Sequence, residues 1–298
     1  MPPSPPSGPR QGRKLRVTGR RLRRGENRLG LEGLALLRLR HAEDASAADE
    51  ILAEMRMLLG ALGNEENRME HHYPILDAAI GYGRWAEVYD SADNPVVAHE
   101  GPAMQEILNR LPGEPVLDAA CGTGRHLVFL SERGRTTIGV DQSDAMLGKA
   151  RAKVPTADLR RGDLEALPLD DGSVAGVVCS LALDHIANLD RAFAEFRRVL
   201  APGGWAAVSV MHPVMRNIVG WSAWFADDDG RAEVVSYHPN VSDYLNAALT
   251  AKLELAEAHE IPIADDAAAG MIAPAVPVGA KIALAGLPLI LLLRFTRR

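Results

Sequence analysis

Asp118, Asp141 and Asp163 stand 23 and 22 residues apart, each at an expected strand-to-helix turn, and the first two close short apolar runs. The first ends Val116-Leu117-Asp118 and opens onto Ala119-Ala120-Cys121-Gly122-Thr123-Gly124-Arg125. Aliphatic residues followed by Asp and small residues predict a parallel strand running into a tight turn, where Gly takes positive φ and lets a ligand touch the backbone. The helix after such a turn presents its first N–H groups to that ligand. In a doubly wound α/β sheet, an acidic residue about 20 positions past the glycine turn ends the neighbouring strand and accepts hydrogen bonds from ribose hydroxyls. Asp141 ends Thr136–Val140 at that distance, and Asp163 follows Leu159–Gly162 at the next strand end. Three helix N-caps are the alternative reading. The glycine pair and the regular spacing favour one shared crevice. Leu127 occupies the last glycine position of the Gly-x-Gly-x-x-Gly pattern, so the close helix approach that dinucleotide enzymes use against a pyrophosphate is missing.

These stretches resemble the class I S-adenosylmethionine (SAM) dependent methyltransferases, in the subgroup acting on small molecules such as ubiquinone precursors, sugars and natural products. The resemblance runs in order through Val116–Arg125, Gly139–Leu147, Gly162–Val174, Ala175–Ser180 and Arg197–Gly204, covering roughly residues 80 to 215. It implies an α/β fold with a doubly wound, mostly parallel, seven-stranded Rossmann-like sheet. SAM is the implied methyl donor and S-adenosylhomocysteine the product, with no metal. By the same resemblance the methionine moiety lies over the Gly122 to Gly124 turn, flanked by Ala120 and Arg125. Asp118 meets its ammonium end, Asp141 the ribose, Asp163 the adenine amino group and Leu164 the adenine face. Gln142 stands where the family often has an apolar residue stacked on adenine, and Met146 offers apolar surface instead. Cys179 and Ser180 close the cofactor set at the end of the fourth strand.

Methyl transfer is an in-line displacement, so the protein must align a nucleophile and remove its proton when it carries one. The fourth strand leads into Cys179-Ser180-Leu181-Ala182-Leu183-Asp184-His185, and the fifth into Met211-His212-Pro213. His185, with an ordinary pKa of about 6.5, suits a base near neutral pH, and similar sugar and natural-product enzymes use a His at this place. Asp184 could orient an imidazole or bind substrate, and His212 is a second base candidate. Many relatives keep the first His without using a base, and His212 before Pro213 could simply cap the turn. The expected activity is methylation of a hydroxyl on an apolar or aromatic metabolite. The alternatives are N- or C-methylation, or a SAM-binding protein that transfers no methyl. No Asn/Asp-Pro-Pro-Tyr-like motif for amide or base nitrogens follows the fourth strand.

The elements that must position these residues divide the chain into a basic extension over 1–46, read as disordered, N-terminal helices forming a lid over 47–110, and the SAM-binding domain over 111–298. Residues 1–40 carry eleven Arg or Lys and two Glu, a net +9, which leaves −15 on the rest of a chain whose total is −6. An acidic core disfavours nucleic acid as substrate. Ile51, Leu52, Met55, Leu58 and Leu59 repeat at helical spacing, for packing on the domain or on a second subunit of a homodimer. Tyr82, Trp85 and Tyr89 gather ahead of the sheet, where they could face a ligand or simply pack. After the fifth strand, 214–249 reads as an inserted cap bearing Trp221, Trp224, Phe225 and Tyr237, suited to an apolar substrate. Leu287 to Phe295 is the buried last strand, and the resemblance makes it the antiparallel seventh, paired with a sixth near Leu253 to Ala258. There the family usually places an Ala-Gly pair, and this chain has Thr250-Ala251-Lys252. The apolar run Ile282 to Leu293 is too short for a membrane span. Two cysteines without Cys-x-x-Cys spacing argue against disulfides or zinc and for a reduced, cytoplasmic setting. His71 and His72 project differently and carry no accompanying carboxylate motif, so no metal site is expected there.

Overall fold

A computed structural model describes residues 23–40, 46–70, 73–90, 94–265 and 277–298. Expectations for the first 22 residues, for His71 and His72, and for the loop from Asp266 to Gly270 lie outside the described residues. In chain order the elements are α1 (Arg24–Leu39), α2 (Ala47–Ala61), α3 (Glu65–Arg68), β1 (Ile75–Leu76), α4 (Ala78–Trp85) and α5 (Pro95–Arg110). Then follow β2 (Val116–Ala119), α6 (Arg125–Ser131), β3 (Thr137–Asp141), α7 (Asp144–Lys153), β4 (Asp158–Arg161) and β5 (Val174–Ser180). A 3-10 turn at Leu183–His185 precedes α8 (Leu189–Val199), β6 (Leu200–Met211), α9 (Pro213–Asn217), β7 (Trp224–Asp227) and β8 (Gly230–Val234). The chain ends through α10 (Val241–Thr250), β9 (Glu254–Pro262), α11 (Pro277–Leu284) and β10 (Pro288–Thr296).

The main sheet has seven strands in the order β4-β3-β2-β5-β6-β10-β9. β10 runs antiparallel to both neighbours, and the pairs from β4 to β6 are parallel. Strands β2 and β3 are buried at every position, as near-continuous apolar runs covered on both faces must be. Chain order reverses on either side of β2, so a crevice opens beyond the carboxyl ends of β2, β3 and β5, where such folds bind ligands. Leu289 to Leu293 in β10 are 0–2% exposed, so the last apolar run is buried as expected, although it lies between β6 and the edge strand β9 rather than at the centre of the sheet. At the α10–β9 turn Lys252 takes φ +58. It adopts, as a lysine, the left-handed conformation that glycine enters at no steric cost.

Two expectations need correction. Arg24–Leu39 is a helix rather than part of a disordered extension: Ala35 is fully buried with Ile51 of α2 and Ala283 and Leu284 of α11. The inserted cap is also shorter than 214–249. α10 packs on α8 and β9 as the regular helix of the layer, and Tyr244 is fully buried in the sheet-side core. The separate part is a three-stranded sheet, β1-β8-β7, in which Ile75 pairs with Glu233. α4 packs under it, with Ala78 and Trp85 in one cluster with Phe225, Ala232 and Val234. The cap is therefore assembled from two distant stretches. No described helix is long and apolar enough to cross a membrane.

Candidate active site

The turn after β2 holds three consecutive constraints: Ala120, Gly122 and Gly124 all have positive φ, at 60, 53 and 86°. Asp141, at the end of β3, accepts the Gly122 N–H at 2.8 Å on Oδ2 and the Ser143 N–H at 2.8 Å on Oδ1. The carboxylate thus locks the glycine turn to the start of α7. Burial raises the pKa of Asp141, and the backbone donors at Ser143, Gly122 and Gln142 oppose that shift. A Cβ added to Gly122 would meet nothing within 4 Å, whereas one added to Gly124 would lie 3.1 Å from the Ala150 Cβ. Gly122 thus faces open space, while Gly124 lets α6 approach α7.

A cavity enclosing about 680 Å³ of free space, part of it open to solvent, lies over this turn. Of the residues singled out in the sequence, Ala120, Gly122, Asp141, Gln142, Met146, Asp163, Leu164, Ser180 and His185 line it. Tyr82, Tyr89, Leu181, Ala182 and Ile186 line it as well. Asp118 lies beneath the turn and is 2% exposed, and its Oδ2 has no hydrogen-bond partner among the described residues. Burial raises its pKa to about 6, against the pull of His126 and Arg125. Arg125 is committed elsewhere, paired with the fully buried Glu100. Glu100 also accepts the Ser209 hydroxyl at 2.8 Å. Burial alone would raise the Glu100 pKa, yet His126 and Arg125 hold it well below the usual carboxylate range. Cys121 and Cys179 are buried, and desolvation pushes both thiols far up. Neither cysteine lines the cavity.

His185 closes the 3-10 turn after β5 and is 8% exposed. Its Nδ1 lies 2.5 Å from the Val235 carbonyl and its Nε2 lies 2.9 Å from the Tyr82 hydroxyl. A carbonyl only accepts, so Nδ1 carries the proton. Burial lowers the His185 pKa, which keeps the ring neutral. Nε2 is then an acceptor and the Tyr82 O–H donates to it. Tyr82 stacks on Trp85 at 5.6 Å between centroids, and Trp85 stacks on Phe225 at 5.4 Å. Trp85 and Phe225 therefore support the cavity wall without forming it.

The other sequence candidates lie off the cavity. Asp184 does not orient the imidazole: it accepts the Tyr244 hydroxyl at 2.6 Å and pairs with Arg216 at 2.9 Å, wholly inside the protein. His212 is no second base on the opposite lip. Its Nδ1 accepts the Val214 N–H at 3.2 Å, which caps α9, and its Nε2 lies 3.2 Å from Glu260. Trp221 packs partly buried beside Met215. Trp224 is 49% exposed beneath the Arg231 guanidinium. Tyr237 is also exposed, and its backbone N–H donates to the Asp184 carbonyl. Sequence reasoning missed Glu100, Arg216 and the Val235 carbonyl. Glu100 had a signal, an acid on the Met104-Ile107-Leu108 stripe of α5; a backbone carbonyl has none.

This arrangement fits a nucleoside bearing a cationic amino-acid arm. Asp141 and Asp163 offer oxygens at successive strand ends, Leu164 and Met146 offer apolar faces, and Asp118 keeps an unpartnered carboxylate oxygen under an open glycine. A family model described as a methyltransferase domain matches residues 117–208. A methyltransferase of Emericella nidulans, itself uncharacterised, is 30% identical over 236 residues, 65% of this chain and 80% of that protein. The malonyl-[acyl-carrier protein] O-methyltransferase of Yersinia pestis is 34% identical over 161 residues, 54% of this chain and 59% of that protein. Other curated relatives are spanned for 36% and 55% of their length. Among solved structures, a SAM-dependent methyltransferase of Mesorhizobium loti superposes with a TM-score of 0.52 at 26% identity, covering 67% of this chain and 98% of its own. With its strand order, its glycine turn and these relatives, the chain belongs to the class I SAM-dependent methyltransferases.

Proposed function

We propose that this protein transfers a methyl group from SAM to a hydroxyl of a neutral, apolar or aromatic small molecule, with His185 as the final proton acceptor. The observation that carries this reading is the neutral His185 imidazole, held at the cavity wall by the Val235 carbonyl with its basic nitrogen turned toward Tyr82. When bound, SAM supplies a methyl group made electrophilic by its sulfonium. The protein's part is to hold the ribose through Asp141, sandwich adenine with Leu164 and Met146, receive the ammonium on Asp118 and keep water out with the cap.

A neutral acceptor is supported by charge. No Lys or Arg lines the described cavity, and the nearby Arg125 and Arg216 are already paired with Glu100 and Asp184. The Yersinia relative is named for an acyl-carrier-protein substrate. An acidic acceptor in this cavity would meet Asp141 and Asp163 without a counter-charge.

Calorimetric binding of SAM and S-adenosylhomocysteine to the full chain, beside Asp141→Ala, is the test. Loss of the carboxylate should weaken SAM binding at least tenfold, about 1.4 kcal/mol. Turnover should then yield S-adenosylhomocysteine in step with a product one methyl heavier. A folded wild type that binds neither compound contradicts the proposal, and unchanged affinity in the variant contradicts the ribose assignment.

A further inference from the structure

His185 cannot itself touch an acceptor in this arrangement. Nδ1 is spent on the Val235 carbonyl and Nε2 receives the Tyr82 hydroxyl, so neither ring nitrogen is open to a molecule in the cavity. Tyr82 does line the cavity. Its hydroxyl donates to Nε2, and no second partner is present on that oxygen among the described residues. A hydroxyl oxygen that donates one bond still has lone pairs with which to accept another. From the residues upward, we infer that Tyr82 is a catalytic proton relay, accepting the acceptor's hydroxyl proton while passing its own to His185 Nε2.

The inference rests on the hydroxyl-acceptor reading above. In the step, the acceptor oxygen forms its bond to the methyl carbon as the carbon–sulfur bond breaks with its electron pair passing to sulfur. The acceptor proton moves to Tyr82 Oη as the Tyr82 proton moves to Nε2. Tyrosine ends neutral and the imidazole ends protonated, so charge and atoms balance. Burial raises the Tyr82 pKa well above its ordinary value, which suits a group that exchanges protons rather than one that waits as a phenolate.

The cap builds this relay from both its halves. Tyr82 comes from α4 and is held flat against Trp85, which stacks in turn on Phe225. Val235 follows β8, and its carbonyl fixes the tautomer of the base. Arg84 Nε and Nη2 grip Asp227 at 2.9 and 2.6 Å, tying α4 to the hairpin. A seated cap is thus required for the base to present the correct nitrogen.

The test uses the full chain labelled with 15N-histidine, with the His185 signals identified by their loss in His185→Gln. Tyr82→Phe keeps the ring stack and removes only the oxygen. The His185 Nε2 resonance should move toward that of an imine nitrogen without a hydrogen bond, and SAM binding should stay within about threefold. An unmoved resonance overturns the contact and the relay. Turnover is then compared on phenol, which arrives protonated, and on 4-nitrophenol, which is ionised at pH 8.5. Tyr82→Phe should lower kcat on phenol by about 10²- to 10⁴-fold and leave kcat on 4-nitrophenol nearly unchanged, since the weaker binding of its anion beside Asp141 and Asp163 is shared by wild type and variant. Equal losses on both would show that Tyr82 only shapes the site, and would overturn the relay while sparing the hydroxyl reading. Transfer to neither phenol by a wild type that binds SAM would overturn the hydroxyl reading, and the relay with it.

Discussion

Asp118 is the residue whose environment makes the sharpest claim. It is a buried acid with one unpartnered oxygen under a turn built for a ligand. Its neighbours pull in both directions, His126 and Arg125 toward ionisation, Asp141 and Glu100 against it, and burial outweighs them to leave a pKa of about 6. If the ammonium of SAM meets this carboxylate, binding requires the ionised form and releases a proton below that pKa. Affinity for SAM should therefore fall by up to about tenfold per pH unit below pH 6 and level off above it. Asp118→Asn should flatten the profile and weaken binding at pH 8. Calorimetry from pH 5 to 8 decides this, and a flat wild-type profile would remove Asp118 from the ligand. At this scale the sequence was readable where chemistry is local. Gly122 and Asp141 sit in strand-to-helix turns whose shape follows from a few neighbours, whereas Leu164 sits in a turn that joins β4 to β5 without the expected helix. It was not readable where partners are remote: Asp184 adjoins His185, yet the 3-10 turn directs it away, to Tyr244 and Arg216 at positions no spacing rule connects.

At the level of elements, β2 and β3 announced themselves as apolar runs meeting an Asp, and the parallel arrangement around them follows from the right-handed crossovers of βαβ units. The cap did not. β1 is only two residues long and pairs with Glu233 and Val234, far along the chain, so neither half carries its own periodicity. α10 looked like more cap because its aromatic Tyr244 resembles the others by type; only packing separates it. The cap's cohesion comes chiefly from the Trp85–Phe225 stack, with Phe225 2% exposed. Phe225→Ala should cost about 3–5 kcal/mol locally. Amide exchange should then speed up in residues 75–85 and 224–234, while β2, β3 and β5 keep their protection, because none of the cap cluster belongs to the sheet core. Exchange that rises equally everywhere would mean that the cap and sheet unfold as one unit.

For the whole molecule, composition misled at the N-terminus. A start that is Pro-rich and then Arg-rich, without aromatic residues, has the look of a solvated tail, and the helix that follows is stable because α1 is packed on α2 and α11 rather than by propensity. Packing α1 there buries Glu32 completely, with no cationic partner for it among the described residues and the α11 backbone so close that Gly279 has no room for a Cβ. Burial, and then Glu54 beside it, raises the Glu32 pKa from 4.5 to about 8. The sign of the consequence is fixed by linkage. Between those values the folded protein holds a proton that the unfolded chain has released, so stability declines as pH rises through the interval and flattens above it. Asp118, with its pKa of about 6, is about nine-tenths ionised by pH 7, so the interval from 7 to 8.5 largely separates Glu32 from it. Thermal denaturation of the full chain should show Tm falling across that interval. Glu32→Gln, which keeps the shape and cannot ionise, should remove most of the fall and raise Tm at pH 8.5 by about 2–4 °C. An equally steep fall in the variant would mean that solvent reaches the Glu32 carboxylate and that the helical layer is not closed over it.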